Sequence, residues 1–421
     1  MLKASTLYVV IVIALIIAML CSSIILAAYF YKEQYQKKFR YDVLHNNLNS
    51  GVNILIAGQD SSYFDEKTIS LFNNDIDSIK VKRVFWGLYD VAVVKAFIQK
   101  DTLYKAFSVA NNIDSAKWAA LYLIDEDRPL SVSGNTMIKG DAFIPKAGVK
   151  EAYVDNKAYS GDKRLVIGNK RNSAKKLPLL QQNRIDAFER LINQTHKTDS
   201  TFLKRDSIRA SFLTDTRSVS FKKTVQILKN INLSGNIILF SDTTFIIDST
   251  AVLNNIMVFA RTIKVMSGFH GTCQLFASDS ISVANNCRFD YPSCLGILRF
   301  KPPAINSQAK ISLGDKSTFS GLVFTYEKNE GGFKSMIHLG KSVKIEGQVY
   351  AQGILEIKDN DVVNGSIFTS RFSYQNSFTR FENYLINLTI NSKALSPYYL
   401  TSGLMPVKGK RKKVLQWLEA N

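Results

Sequence analysis

Residues 347–369 read GQVYAQGILEIKDNDVVNGSIFT, and the fold turns on how this stretch is understood. It holds two copies of one small pattern. Gly347 stands three residues before Tyr350, and Gly365 three before Phe368. Each aromatic follows an aliphatic residue and precedes a small one. The triplet recurs upstream as Leu239-Phe240-Ser241, Val258-Phe259-Ala260, Leu275-Phe276-Ala277 and Val323-Phe324-Thr325, with Gly321 three residues before the last aromatic. Successive aromatics are 19, 17, 48, 26 and 18 residues apart, and the two long gaps suggest inserted loops. Further aliphatic runs at 245–247, 263–266, 281–284, 311–313 and 354–357 supply second short strands. A recurring unit of two or three short strands that cannot bury its own apolar face must stack on its neighbours, which predicts a β-solenoid or β-helix body. The aromatic is then expected to fill the interior or seal a corner, with its small neighbour allowing close backbone approach. A β-sandwich, with strands spaced about 8–12 residues apart, is the alternative.

At the N-terminus, Leu7 to Phe30 reads LYVVIVIALIIAMLCSSIILAAYF, 24 residues without a charge. As a helix it is about 36 Å long, against a hydrocarbon core of about 30 Å. It exceeds the roughly 7–15 apolar residues of a cleaved signal, so residues 1–30 are predicted to be a retained transmembrane anchor. In 31–57, Tyr35, Phe39, Val43, Leu44, Leu48, Val52 and Leu55 recur at helical spacing. This predicts an amphipathic helical extension that packs on the folded body and stops near Gly58.

The rest divides by pattern. Residues 58–128 read as a small β-rich domain with antiparallel strands near 81–89, 91–99, 102–110 and 117–125. Residues 129–178 hold short strands and a loop carrying Lys163, Arg164, Lys170, Arg171, Lys175 and Lys176, with no acid among those 14 positions. Residues 179–230 hold a helix over 179–193, with Leu180, Ile185, Phe188, Leu191 and Ile192 on one face, plus connecting strands. The solenoid occupies 231–390. A basic tail, 391–421, carries Lys410, Arg411, Lys412 and Lys413 and is expected to be disordered or a short helix bearing Trp417 and Leu418. The expected fold class is therefore mainly β: an N-terminal transmembrane helix, a small antiparallel β region, then the solenoid.

The 421 residues carry a formal charge of +19. Such a balance suits anionic lipid, an acidic polymer or nucleic acid and does not choose among them; nucleic acid is the least favoured. The two basic runs are candidate polyanion-binding surfaces or simply solvated faces. Outside the anchor's Cys21 lie Cys273, Cys287 and Cys294, an odd number. Buried small thiols are expected, with a single Cys287–Cys294 or Cys273–Cys287 bridge left open. No HExxH, G-x-S-x-G, C-x-x-C or phosphate-binding glycine loop occurs. His45, His196, His270 and His338 lack ligand spacing. Asp279, Asp290 and Arg288 are the nearest approach to the clustered charges of a polysaccharide lyase or hydrolase. No catalytic residue, metal or cofactor is expected.

An apolar N-terminal helix extended into an amphipathic one and followed by a β-rich body resembles the layout of type IV pilins and pseudopilins. Their Gly before the cleavage site and Glu at the fifth mature position have no counterpart within residues 1–20. The units at 347–351 and 365–369 resemble those of bactofilin-like β-helices. The whole is similar to uncharacterised single-pass envelope proteins of Bacteroidota-type bacteria. These resemblances imply a membrane-anchored, non-enzymatic structural or assembly component of a bacterial envelope, in contact with the bilayer, with secretion- or pilus-like proteins, or with anionic polymer. A single pass through the inner membrane with the body exported to the periplasm or cell surface is expected, although Lys32, Lys37, Lys38 and Arg40 after the anchor outnumber Lys3 before it. A polysaccharide-binding or polysaccharide-degrading solenoid and a cytoplasmic membrane-tethered scaffold are the alternatives.

Overall fold

A computed structural model describes all residues except 1–3, 59–63, 72–76, 114–117, 197–201, 203–204, 222–223, 303–306, 330–331, 407–410 and 421. The chain is mainly β, with one long N-terminal apolar helix, a small antiparallel sheet and an extensive parallel ladder. It forms two compact units. The first comprises 1–84, 92–106 and 419–421; the second comprises 85–91 and 107–418.

In the first unit, helix α1 runs unbroken over Ala4–Ala57. Its described residues from Thr6 to Tyr31 are exposed. Burial begins near Val43 and follows one face through Leu44, Leu48, Gly51, Val52 and Leu55. Tyr35 and Phe39, expected on that buried face, are instead more than half exposed. Gly51 permits the helix to lie close to the sheet: a Cβ there would sit 2.5 Å from Val94 Cγ1. The sheet runs β1 (Lys67–Ser70), β2 (Asp77–Trp86), β3 (Tyr89–Ile98) and β4 (Asp101–Asn112), with β1 and β2 antiparallel. Arg83 of β2 donates to the carbonyls of Leu55 (3.4 Å) and Gly58 (2.8 Å), so a buried cation satisfies acceptors that the last turn of α1 leaves open.

In the second unit, strands pair in parallel and in register. The path runs through Arg217–Phe221, Ile237–Ile247, Val252–Val265, His270–Val283, Arg288–Arg299, Thr318–Glu327, Lys344–Ile357 and Val362–Gln375. It continues into β5 (Ala119–Leu123), Asp141–Ile144 and Lys170–Asn172. Shorter strands close this sheet on itself. β5, expected to be the last strand of the antiparallel group, thus joins the ladder, with Leu121 beside Ile367.

Side chains alternate across each strand, so stacked strands make columns. Leu239, Val258, Leu275, Leu295, Val323, Val349, Ile367 and Leu121 form one column, buried in the ladder's aliphatic core. The aromatics one residue later point the other way. Phe240, Phe259 and Phe276 stack at 5.1 and 4.8 Å between centroids, and Phe324, Tyr350, Phe368 and Tyr122 continue the row. The expectation that these rings fill the interior is therefore corrected: they line the outside of the aliphatic core. The 48-residue gap does not hold only a loop. It contains a further copy, Leu295-Gly296-Ile297, whose Gly296 pairs with Phe276 on one side and Phe324 on the other. A Cβ on Gly296 would lie 2.5 Å from the Phe324 ring and 2.9 Å from that of Phe276.

Gly321, Gly347 and Gly365 are stacked in register with φ of +144°, +143° and +149°. A Cβ would meet a neighbouring backbone carbonyl at 2.0, 2.0 and 1.7 Å. Close approach is therefore secured by these glycines rather than by the small residue after the aromatic. The tail is also corrected: 412–420 is a strand, Lys412–Ala420, not a helix, and Lys410 lies outside the described residues. Cys273, Cys287 and Cys294 are buried free thiols.

Asp361 is buried and accepts from the backbone N–H of Val343 (3.0 Å) and of Lys358 (3.1 Å). Burial pushes its carboxyl up to about 7, against the pull of those two donors. The protonated form is thus favoured by folding. Its contribution is complete below the ordinary carboxylate range and lost as pH rises through about 7. Thermal stability should fall between about pH 4 and 7, by at most about 4 kcal/mol from this group, and Asp361→Asn should flatten that slope. An unchanged slope in the variant refutes the assignment. Separately, Gly365→Ala should cost at least about 3 kcal/mol, because strain and a backbone clash coincide there; a melting temperature within a degree or so of the parent would contradict this.

Candidate functional site

The aromatic column needs a cover, since a contiguous row of rings left in water would be a large apolar patch. The segment between Lys170–Asn172 and Arg217–Phe221 supplies it. The Tyr122 hydroxyl accepts from the Ala174 N–H (3.1 Å) and donates to the Lys176 carbonyl (3.4 Å). The Tyr350 hydroxyl donates to the Pro178 carbonyl (3.0 Å). Helix α2 (Gln182–Asn193) then lays Phe188 against Phe276 (4.9 Å between centroids) and Phe259 (6.4 Å). Finally His196 stacks on Phe240 at 3.6 Å, with burial lowering its imidazole pKa. Residues 174–196 are a strap laid along the column. The helix starts three residues later than expected, because Leu179 lies on the extended part of the strap and is exposed.

Arg184 of α2 fixes the strap to the β2–β3 turn. Its guanidinium pairs with Asp90 at 2.9 Å, with both side chains largely buried, donates to the Tyr89 carbonyl at 3.2 Å and lies 5.0 Å from the Phe85 ring centroid. The turn is held from its other side by Gln274, whose Oε1 accepts from the Leu88 N–H at 2.8 Å.

The candidate basic residues lie at one end of the ladder and at the start of the strap. Lys163, Arg164, Lys170, Arg171, Lys175 and Lys176 are all exposed. They do not form one uncompensated patch. Asp162 grips Arg164 through both carboxylate oxygens (2.9 and 2.7 Å), which holds that carboxyl well below its usual range. Arg171 approaches Asp141 (3.5 Å) and the Phe143 ring, and Lys175 approaches Asp127 (3.4 Å). Lys163, Lys170 and Lys176 have no ion-pair partner among the described residues. Lys170 and Arg171 sit on the ladder's terminal strand, where charge on an edge discourages pairing with another chain. Arg411, Lys412 and Lys413 lie at the start of the last strand, with Arg411 and Lys413 exposed.

The charges considered for lyase or hydrolase chemistry are divided between two structural networks. Asp290 pairs with Arg288 (2.9 Å) and His270 (2.5 Å). Burial acts upward on its carboxyl, but those two bonds outweigh it and hold it below its usual range. Asp279 pairs with Arg261 (2.8 Å) and with the buried Arg299 (3.3 Å), which also holds Glu327 (3.0 Å). Among the described residues no group of three or more His, Cys, Asp or Glu is arranged for a metal. A cleft beside Tyr398 and Glu346 was not foreseen. Its sequence trace is the Ser396-Pro397-Tyr398-Tyr399 run, a turn carrying two aromatics.

No protein-family model matches the chain, and no curated protein is similar to it. Among solved structures, it is similar to the crystal structure of the competence-associated pilin ComZ from Thermus thermophilus, with 8% identity over 85% of this chain and 87% of that one. The TM-score is 0.20, too low for the likeness to bear on fold or function.

Phe188 is the strap's main anchor, with no exposed surface. Phe188→Ala should cost about 3–5 kcal/mol in global stability and expose the strap to limited proteolysis. A strap as resistant as in the parent would show that α2 is held by something other than the rings.

Proposed function

We propose that this chain is a membrane-anchored, non-enzymatic structural or assembly component of a bacterial envelope, whose parallel ladder is a β-solenoid presented to partner proteins or cell-surface polymer. One observation carries the reading. α1 keeps its apolar segment from Leu7 to Phe30 exposed along its described length while the far end of the same helix is buried against a sheet. That helix is long and apolar enough to cross a membrane. Twenty or more apolar side chains left in water would be strongly unfavourable at about 25 cal/mol per Å², so a lipid environment is the natural solvent for them. The exposed Tyr29, Tyr31, Tyr35 and Tyr41, interleaved with Lys32, Lys37, Lys38 and Arg40, suit the headgroup layer that follows.

Support for a solenoid comes from the stacked aliphatic, aromatic and glycine columns, which repeat one unit along the sequence. A stacked, rigid body suits presentation rather than turnover. Lys163, Lys170 and Lys176 offer uncompensated positive charge to an anionic polymer. In this reading the body lies outside the inner membrane, in the periplasm or at the cell surface.

Deleting residues 1–30 should move the chain from the carbonate-washed membrane pellet to the supernatant, and alkaline phosphatase fused after residue 421 should be active in cells. Retention of the truncated chain in the pellet would refute anchoring by this helix. An inactive fusion would refute export and leave a cytoplasmic tethered scaffold.

A further inference from the structure

The outer face of the ladder carries a cleft of about 410 Å³, lined by Tyr291, Ser320, Glu346, Leu395, Tyr398 and Tyr399 among others. From this cleft we infer a binding site for a neutral oligosaccharide, a function independent of how the chain is anchored. Its volume is at the small end of ligand pockets, which run to about 300–1,000 Å³, with room for about one or two sugar rings.

The cleft is built rather than incidental. Its far wall is the loop 392–399, which is tied near both ends. The Asn391 side chain accepts from the N–H groups of Lys393 (3.1 Å) and Ala394 (3.2 Å). Ser396 Oγ accepts from the Tyr398 N–H (3.2 Å), and the Ser396 carbonyl accepts from the Tyr399 N–H (3.0 Å). Tyr399 is buried, and its hydroxyl donates to the Gly321 carbonyl (3.1 Å) between the stacked glycines. Tyr291 packs against it, 5.0 Å between centroids, and donates to the Leu400 carbonyl (2.7 Å). The wall is therefore set before any ligand arrives, which lowers the ordering cost of binding.

Against this fixed wall the remaining groups are free. Tyr398 is 88% exposed, an aromatic face held in water by a tied backbone. Ser320 and Glu346 are cross-strand neighbours on adjacent strands, so their side chains stand about 5 Å apart along the stack. Among the described residues neither side chain has a hydrogen-bond or ion-pair partner, although the chain carries 54 Lys and Arg. A flat apolar ring face beside an uncompensated carboxylate and a hydroxyl suits a ligand with C–H faces to stack and O–H or N–H groups to donate. A neutral sugar has both. The carboxylate disfavours acidic glycans, which keeps this site distinct from the basic residues at the ladder's end.

The test uses the full chain in detergent, titrated with an N-acetylglucosamine trisaccharide and with maltotriose, and with a heparin oligosaccharide as the acidic probe. At least one neutral probe should bind saturably with Kd near or below about 1 mM. Tyr398→Ala and Glu346→Ala, both at exposed side chains, should each weaken it about tenfold without moving the melting temperature, and heparin should not compete. The proposal is overturned by an absence of saturable binding of both neutral probes up to about 10 mM, by binding that neither substitution weakens, or by competition from heparin. None of these outcomes affects the fractionation or fusion results that test anchoring.

Discussion

The second unit depends on strict parallel register. Once Leu239, Val258 and Leu275 stand one above another in the core, the residue after each must point away from it. That residue is an aromatic, so the same alternation that builds an aliphatic interior also raises a row of rings on its outside. The strap from Ala174 to His196, the pinning of Arg184 to Asp90 and the seating of Phe188 all answer this one geometric demand. The glycine column obeys the same logic on another stretch of each strand. Where successive backbones come close enough for a carbonyl to touch a Cβ position, only glycine fits, and it recurs at 321, 347 and 365.

The first unit solves a different problem. α1 passes from an exposed apolar stretch to a partly buried one without a break in the helix. Near Val43 its surroundings become protein, and Gly51 lets the sheet come close where a side chain would hold it off. Arg83 then meets the Leu55 carbonyl of the helix's last turn and the Gly58 carbonyl just beyond it, a role usually taken by a glycine cap or by water.

Much of this was legible from the residues. The length of the N-terminal apolar helix, the recurrence of aliphatic–aromatic–small triplets and the strand-rich composition are local properties, and each survives into the structure as an element or a column. What failed was non-local. Gly296 occupies an aromatic position, so a search for aromatics passes over the copy it marks. The 48-residue gap then looks like a loop. An alternating strand carries no sign of which side becomes the core, so rings and aliphatics could not be assigned to inside and outside. β5 is apolar throughout and buried at every position, a pattern that fits a buried strand of either direction, and nothing near it reveals that its partner is Val362–Gln375. The density of Lys and Arg over 163–176 overstated the free charge, because Asp127 and Asp141 are remote in sequence and adjacent in space. The cleft at Tyr398 joins strands 318–357 to a loop near residue 396, a juxtaposition that only the folded chain reveals.

The pairing of β5 with Val362–Gln375 also sets an order of events in time. Leu121 is made early and Ile367 late, yet they are neighbours in the ladder. The segment holding β5, Asp141–Ile144 and Lys170–Asn172 is the outer end of a stack whose foundation is synthesised last. A chain emerging from the ribosome can pair these three early strands with one another, but the edge of β5 that meets Ile367 stays open until most of the body has followed. Contacts between such distant parts of a sequence form slowly. The ladder of a protein built this way closes only once Val362–Gln375 has been made and can receive β5.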